Sequence, residues 1–188
     1  MKKLALLFVA MLMSATFFAQ EHLDFRGVPI DGHIDNFVSK MEGLGYTLDN
    51  KSDKSAKMSG QFTGRNVELW IFYTRKTHTV WKVVMYFDES SWSSLKSDYF
   101  EYKKLYTQKY GKPSSSYEFF SKPYYEGDGY ELQALKKEKC HYLSIYKLET
   151  GSISIQISEF EQLKLAYEDG INADLMTEEK NSSALDEI

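Results

Sequence analysis

The chain has 188 residues, a formal charge of −4 and a single cysteine. One cysteine excludes an intramolecular disulfide and any cysteine-rich metal site, and the acidic balance argues against nucleic acid or an anionic membrane as main partner. Aromatic residues make up 15% of the sequence, with 14 tyrosines, so many must pack in a core or cover its surface.

Residues 1–20 have the form of a signal peptide. Lys2 and Lys3 give a positive start, Leu4 to Phe18 a short apolar run, and Ala19-Gln20 a small and polar end before Glu21. A lipoprotein would need a cysteine at the cut, and the only one is Cys140. The expectation is a periplasmic or secreted protein, with no membrane insertion once the segment is removed. Losing its two lysines takes the formal charge from −4 to −6. About 168 residues remain, enough for one domain with a good core or two small ones.

Phe25 to Gly32 is turn-rich, and Pro29 cannot sit in a central strand. Ile34, Phe37, Val38, Met41 and Leu44 then share one helical face. Asp31 and Asp35 suit the start of that helix, and Gly43 and Gly45 its stop. Tyr46 to Leu48 reads as extended and residues 49–56 as a polar loop. A strand over 57–63 turns at Gly64 into a hairpin, Val67 to Phe87, rich in β-branched and aromatic residues.

Ser or Asp within 88–91 can cap the longest helix, 92–110, which Gly111 ends and Pro113 keeps from resuming. Tyr117 to Phe120 reads as a short strand, and residues 122–129, with Pro123, Gly127 and Gly129, as an exposed loop. Strands follow over 130–137, 140–148 and 152–158. The spacing of Phe160, Leu163 and Tyr167 predicts a short helix over 160–169. Beyond it, residues 171–188 read as an acidic, disordered tail.

Both halves therefore run helix, short strand, polar loop and three strands: a first α-β repeat over 21–88 and a second over 89–170. The expected class is α+β, two tandem helix-plus-four-stranded antiparallel sheet repeats with helices packed on one face. This element order resembles the β-lactamase inhibitor protein (BLIP-like) architecture. The run Phe25-Arg26-Gly27-Val28-Pro29-Ile30-Asp31-Gly32 with a helix behind it is similar to exported Bacteroidetes proteins of unknown function. The inhibitor family has a disulfide in each repeat, which this chain cannot form, so no inhibitory residues are carried over.

Chemistry-bearing patterns are few. Asp31-Gly32-His33-Ile34-Asp35 has the spacing of metal ligands, yet carboxylates at a helix start explain it as well. Cys140 and His141 are adjacent in a strand, so their side chains diverge. No Gly-rich phosphate loop, Gly-x-Ser-x-Gly or His-Glu-x-x-His occurs. No catalytic, cofactor or metal residue is assigned, and the protein is expected not to be an enzyme.

Aromatic surface remains. With Leu69, Ile71, Val83 and Met85 facing the helices, Trp70, Phe72, Val84 and Tyr86 face outward. In the second half, Leu143 and Ile145 are expected inward and Tyr142 and Tyr146 outward. Tyr124 and Tyr125 sit in the exposed loop. The expected partner-binding set is therefore Trp70, Phe72, Tyr86, Tyr142, Tyr146, Tyr124 and Tyr125, on a rigid sheet that gives contact area at low ordering cost. Protein recognition is the first expectation, a glycan stacked on the same aromatics the second, and a hydrolase with carboxylates between the repeats a third. The C-terminal segment or a second copy of the chain, as a homodimer, are further candidates to cover this face. N-terminal sequencing of protein made in a Gram-negative host should give a chain starting near Glu21; one starting at Met1 would refute export.

Overall fold

In residues 65–88 large apolar side chains alternate with mixed ones, and a strand displays alternate residues on opposite faces. Val67, Leu69, Ile71 and Tyr73, with Val83, Met85 and Phe87, are buried together on one side. The computed structural model describes residues 21–89 and 91–187. The segment read as an export signal, 1–20, lies outside the described residues.

The elements run in order as follows. A small ribbon of β1 (Asp24–Phe25) and β2 (Val28–Pro29) precedes α1 (Ile34–Gly43), β3 (Thr47–Lys51), β4 (Ser55–Phe62), β5 (Arg65–Tyr73) and β6 (Val80–Asp88). Then come α2 (Trp92–Tyr110), β7 (Ser115–Phe120), α3 (Glu131–Lys136), β8 (Cys140–Leu148), β9 (Gly151–Ile157), β10 (Gln162–Asp169) and α4 (Gly170–Asp186). One eight-stranded antiparallel sheet results, in the order β3-β4-β5-β6-β10-β9-β8-β7. It consists of two four-stranded meanders joined where β6 pairs with β10.

Register carries one inner row across the sheet: Met58, Leu69, Met85, Leu165, Ile155, Ser144. All six are fully buried. Burying each large apolar member contributes about 1.5–3 kcal/mol before entropy is counted. α2 lies on this face across β8, β9 and β10. Its cap is Ser91, whose Oγ accepts the Ser94 N–H at 3.1 Å, and its end is Gly111 at φ 82°. Leu95, Tyr99, Tyr102 and Tyr106 form its buried stripe.

Three of those four are tyrosines, so the helix–sheet layer must satisfy hydroxyls as well as fill volume. Tyr99 Oη lies 2.7 Å from Ser144 Oγ, Tyr102 Oη 2.6 Å from Thr63 Oγ1, and Tyr106 Oη meets Tyr167 Oη. Among the described residues, no buried side-chain polar atom lacks a hydrogen-bond partner. A second knot is Asp169, fully buried at the end of β10. Its carboxylate accepts the Leu23 N–H at 2.8 Å and caps α4 through the Asn172 N–H at 2.9 Å. The chain's early residues, last strand and last helix therefore meet at one group.

Four expectations are corrected. Residues 130–137 hold α3 rather than a strand, because Glu131-Leu132-Gln133-Ala134-Leu135-Lys136 are all strong helix formers. Residues 162–169 form β10 rather than a helix. Leu163, Leu165 and Tyr167 alternate inward, and Phe160 is left 73% exposed in the preceding turn. Phe160, Leu163 and Tyr167 also fit a helical spacing, and pairing with both β6 and β9 decides for the strand. The tail read as disordered carries α4, capped by Asp169. Glu179 further along α4 accepts from the Lys76 and Thr77 N–H groups of the β5–β6 turn. The loop expected over 49–56 shrinks to a tip, since β3 reaches Lys51 and β4 begins at Ser55.

The buried phenols make stability sensitive to alkali. Burial raises the pKa of Tyr99, Tyr106 and Tyr167 above the ordinary 10.0. Above that value the unfolded chain gives up protons that the folded chain keeps, so stability should be flat below about pH 9 and fall beyond it. Urea midpoints measured from pH 7 to 11 check this. Tyr106→Phe should flatten the decline, and an unchanged slope would count against the assignment.

Candidate binding face

The sheet's other side is the candidate site. Its central row runs Lys57, Trp70, Val84, Ala166, Ser154, Ile145. Flanking rows place Phe72 beside Lys82 and Glu168, and Glu68 beside Tyr86, Lys164 and Gln156. Val84 and Ala166 are buried at the middle, shielded by larger side chains in the rows around them.

Trp70 and Phe72 are two apart on β5, hence on one face. Their rings stack at 6.5 Å between centroids, and Phe72 meets Trp81 at 6.3 Å. Trp70 is held from both ends. Its Nε1–H donates to Glu68, and Lys57 Nζ sits 5.8 Å from its ring centre, within cation–π reach. Lys57 and Glu68 pair in turn at 2.5 Å. The indole is therefore half-buried, pre-oriented and already partnered at its polar atom, which leaves ring surface to offer.

Tyr86 lies in the next row, half-buried, its phenol pKa raised by burial and by the charges of Glu159 and Glu68. It stays a neutral hydroxyl that can donate or accept. Lys82 pairs with Glu168 at 2.7 Å. Lys164, between Tyr86 and Gln156, has no ion-pair partner among the described residues. Burial and then Lys82 lower its pKa. Beside Tyr86, an open cleft of about 960 Å³ is lined by Arg26, Gln61, Asn66, Glu68 and Asp88, among others.

The expected partner-binding residues separate into three groups. Trp70, Phe72 and Tyr86 share the outer face. Tyr142 and Tyr146 do not: they are 3% and 2% exposed, on the helix side. Ser144 opposes Ile155 and Tyr146 opposes Ile153, so the inward isoleucines of β9 carry the tyrosines inward with them. Leu143 and Ile145, expected inward, take the outer face instead. Tyr146 Oη is satisfied there by Thr107 Oγ1 and the Lys103 carbonyl, both at 3.0 Å. Tyr124 packs against the core. Tyr125 is 64% exposed, in the loop whose Glu126 pairs with Lys96 of α2, on the helix side and away from Trp70. Tyr117 and Phe119, missed from sequence, are exposed on the outer face at β7. Their alternation with Ser116 and Glu118 was the available signal.

The other patterns disperse. Asp31 accepts from Asn172 Nδ2 at 3.0 Å, His33 caps α1 through the Asp35 N–H, and Asp35 pairs with Lys51. His33 stacks on His78 at 5.4 Å. Among the described residues, no group of three or more His, Cys, Asp or Glu could hold a metal ion. Cys140 is buried while His141 is exposed, on opposite faces of β8.

Family models, curated proteins and solved structures give no match to this chain.

Burial, and next the charge of Glu131, pushes the Cys140 thiol up to about 12. A neutral, shielded thiol is a poor nucleophile. Native protein should resist a disulfide reagent at pH 7.5 and react fully once denatured, with Cys140→Ser retaining any binding activity. Rapid labelling of the native state would contradict a structural role.

Proposed function

We propose that the protein is an exported, non-enzymatic binding module that holds a protein partner on its outer sheet face through Trp70, Phe72 and Tyr86. The observation that carries this reading is the pre-oriented stack of Trp70 and Phe72 on a rigid sheet. Large aromatics fixed before binding contribute area with little ordering cost, and such residues dominate the energetics of protein interfaces. Lys82 with Glu168 and the half-buried Lys164 supply polar contacts around the stack. The acidic balance of the chain fits neither nucleic acid nor an anionic membrane surface. Export rests on the pattern of residues 1–20, and the site of action is the periplasm or the medium.

A glycan is the second reading, favoured by the cleft beside Tyr86, where Glu68, Asp88, Gln61 and Asn66 could bond sugar hydroxyls. Retardation in gels containing soluble polysaccharide, abolished by Tyr86→Ala, would select it over protein recognition.

The central test pairs two neighbours on β5. Leu69→Ala, inward and fully buried, should cost about 2–5 kcal/mol of stability. Trp70→Ala should cost about 1 kcal/mol of stability. It should also cost on the order of 2 kcal/mol in affinity for a partner isolated by pull-down from periplasmic extract. If Trp70→Ala unfolds the protein as badly as Leu69→Ala, the face is not a binding surface.

A further inference from the structure

The two edges of the sheet are unlike. β3 carries Asp49 and Lys51, and its register shifts between Leu48 and Asn50. Charge and a bulge of this kind blunt an edge against further pairing. β7, Ser115-Ser116-Tyr117-Glu118-Phe119-Phe120, pairs with β8 in unbroken register. Its one charge, Glu118, is turned under α2, where it accepts from Tyr99 and Lys103. The Ser121 N–H donates to the Lys139 carbonyl at 2.6 Å. Alternation then points the N–H and C=O groups of Ser116, Glu118 and Phe120 away from β8, to the open edge.

Aromatic surface flanks this edge in both layers. Tyr117 and Phe119 on the outer face are 47% and 46% exposed, and Phe100 on α2 is 39% exposed. The Phe100 ring lies 6.0 Å from that of Tyr142, the residue opposite Glu118, and so stands beside the edge. A bare edge with apolar surface above and below it is built for strand addition.

We propose that β7 is the interface for a second copy of this chain, the two β7 strands pairing antiparallel about a two-fold axis so that both sheets become one. The side chains are self-complementary in one register. With Tyr117 on the axis, Ser115 faces Phe119 of the second copy on the outer side, and Ser116 faces Glu118 of the second copy on the inner. Ser116 and Glu118 then exchange the main-chain bonds that β8 leaves free. The two Tyr117 rings meet at a pair without mutual main-chain bonds, where side chains approach closest. Moving the axis to Glu118 would set two carboxylates against each other, a like-charge pair that destabilises. The proposal goes beyond the outer-face reading and does not use Trp70.

Sedimentation velocity over a range of concentrations, on protein recovered from an exporting host, tests it. A monomer–dimer equilibrium is expected. Ser116→Pro removes two outward N–H groups per dimer and leaves the β8 ladder intact, so it should weaken dimerisation about tenfold or more. Trp70→Ala should leave dimerisation unchanged, which separates failure here from failure of the outer-face reading. Register is read by cysteine pairing. Oxidised Tyr117→Cys should cross-link into dimers, and Phe119→Cys, facing Ser115 of the second copy, should not, with buried Cys140 as silent background. A monomer at every concentration overturns the proposal and leaves the edge to an extended segment of another chain. Dimers unaffected by Ser116→Pro, or equal cross-linking at 117 and 119, also overturn it.

Discussion

The antiparallel pairing of β6 with β10 is the constraint on which the rest depends. Without it, residues 47–88 and 115–169 would be two small meanders, each with two exposed edges. With it, Met85 meets Leu165 and Val84 meets Ala166, so the inner and outer rows of the two meanders join across the sheet, and α4 borders the outer side where Met176 and Lys180 line a hollow with Phe72 and Trp81. A one-residue slip of β6 against β10 would turn every side chain of one meander to the wrong face. The buried rows make such a slip expensive. If the first meander turned, Leu69 and Met85 would exchange places with Glu68 and Tyr86; if the second did, Leu165 and Ile155 would exchange with Lys164 and Gln156.

The tyrosine layer under α2 follows from that fixed face. A helix carrying Tyr99, Tyr102 and Tyr106 on its buried stripe can dock only where hydroxyl partners wait. The sheet supplies them as Ser144, Thr63 and Tyr167, from three different strands or turns. Such specificity is directional as well as apolar, and it fixes α2 along its axis. Asp169 performs the same service at the other end, tying Leu23, His22 and Asn172 to the end of β10. These bonds fix the helices that cover the inner side, and the opposite side carries the Trp70–Phe72 stack.

Trp70 and Tyr142 show how far a strand pattern alone can be trusted. For Trp70, the neighbours Leu69 and Ile71 are purely apolar, and Trp70 and Phe72 fall outward by elimination; the structure agrees. For Tyr142, both faces of β8 carry large apolar side chains, and nothing local says which side is buried. The choice is made by the pairing with β9, whose isoleucines can face only the core. Residues 131–136 and 162–169 illustrate the same limit. Propensity settled the first as a helix, and tertiary pairing settled the second as a strand, although Phe160, Leu163 and Tyr167 also suit a helix.

What the sequence by itself determined is the α+β class, the central hairpin with its inward and outward faces, and α2 from a Ser or Asp cap within 88–91 to its Gly111 stop. Each rests on signals within a few residues: alternation, a capping side chain, a glycine able to adopt positive φ. Only the tertiary structure decided that β6 joins β10, that Tyr142 and Tyr146 are buried, that residues 170–186 form a helix anchored by Glu179, and that β7 is left as an open edge. Those outcomes depend on partners distant in the chain, and local pattern carries no information about which distant partner supplies the missing half of a bond or a packed face.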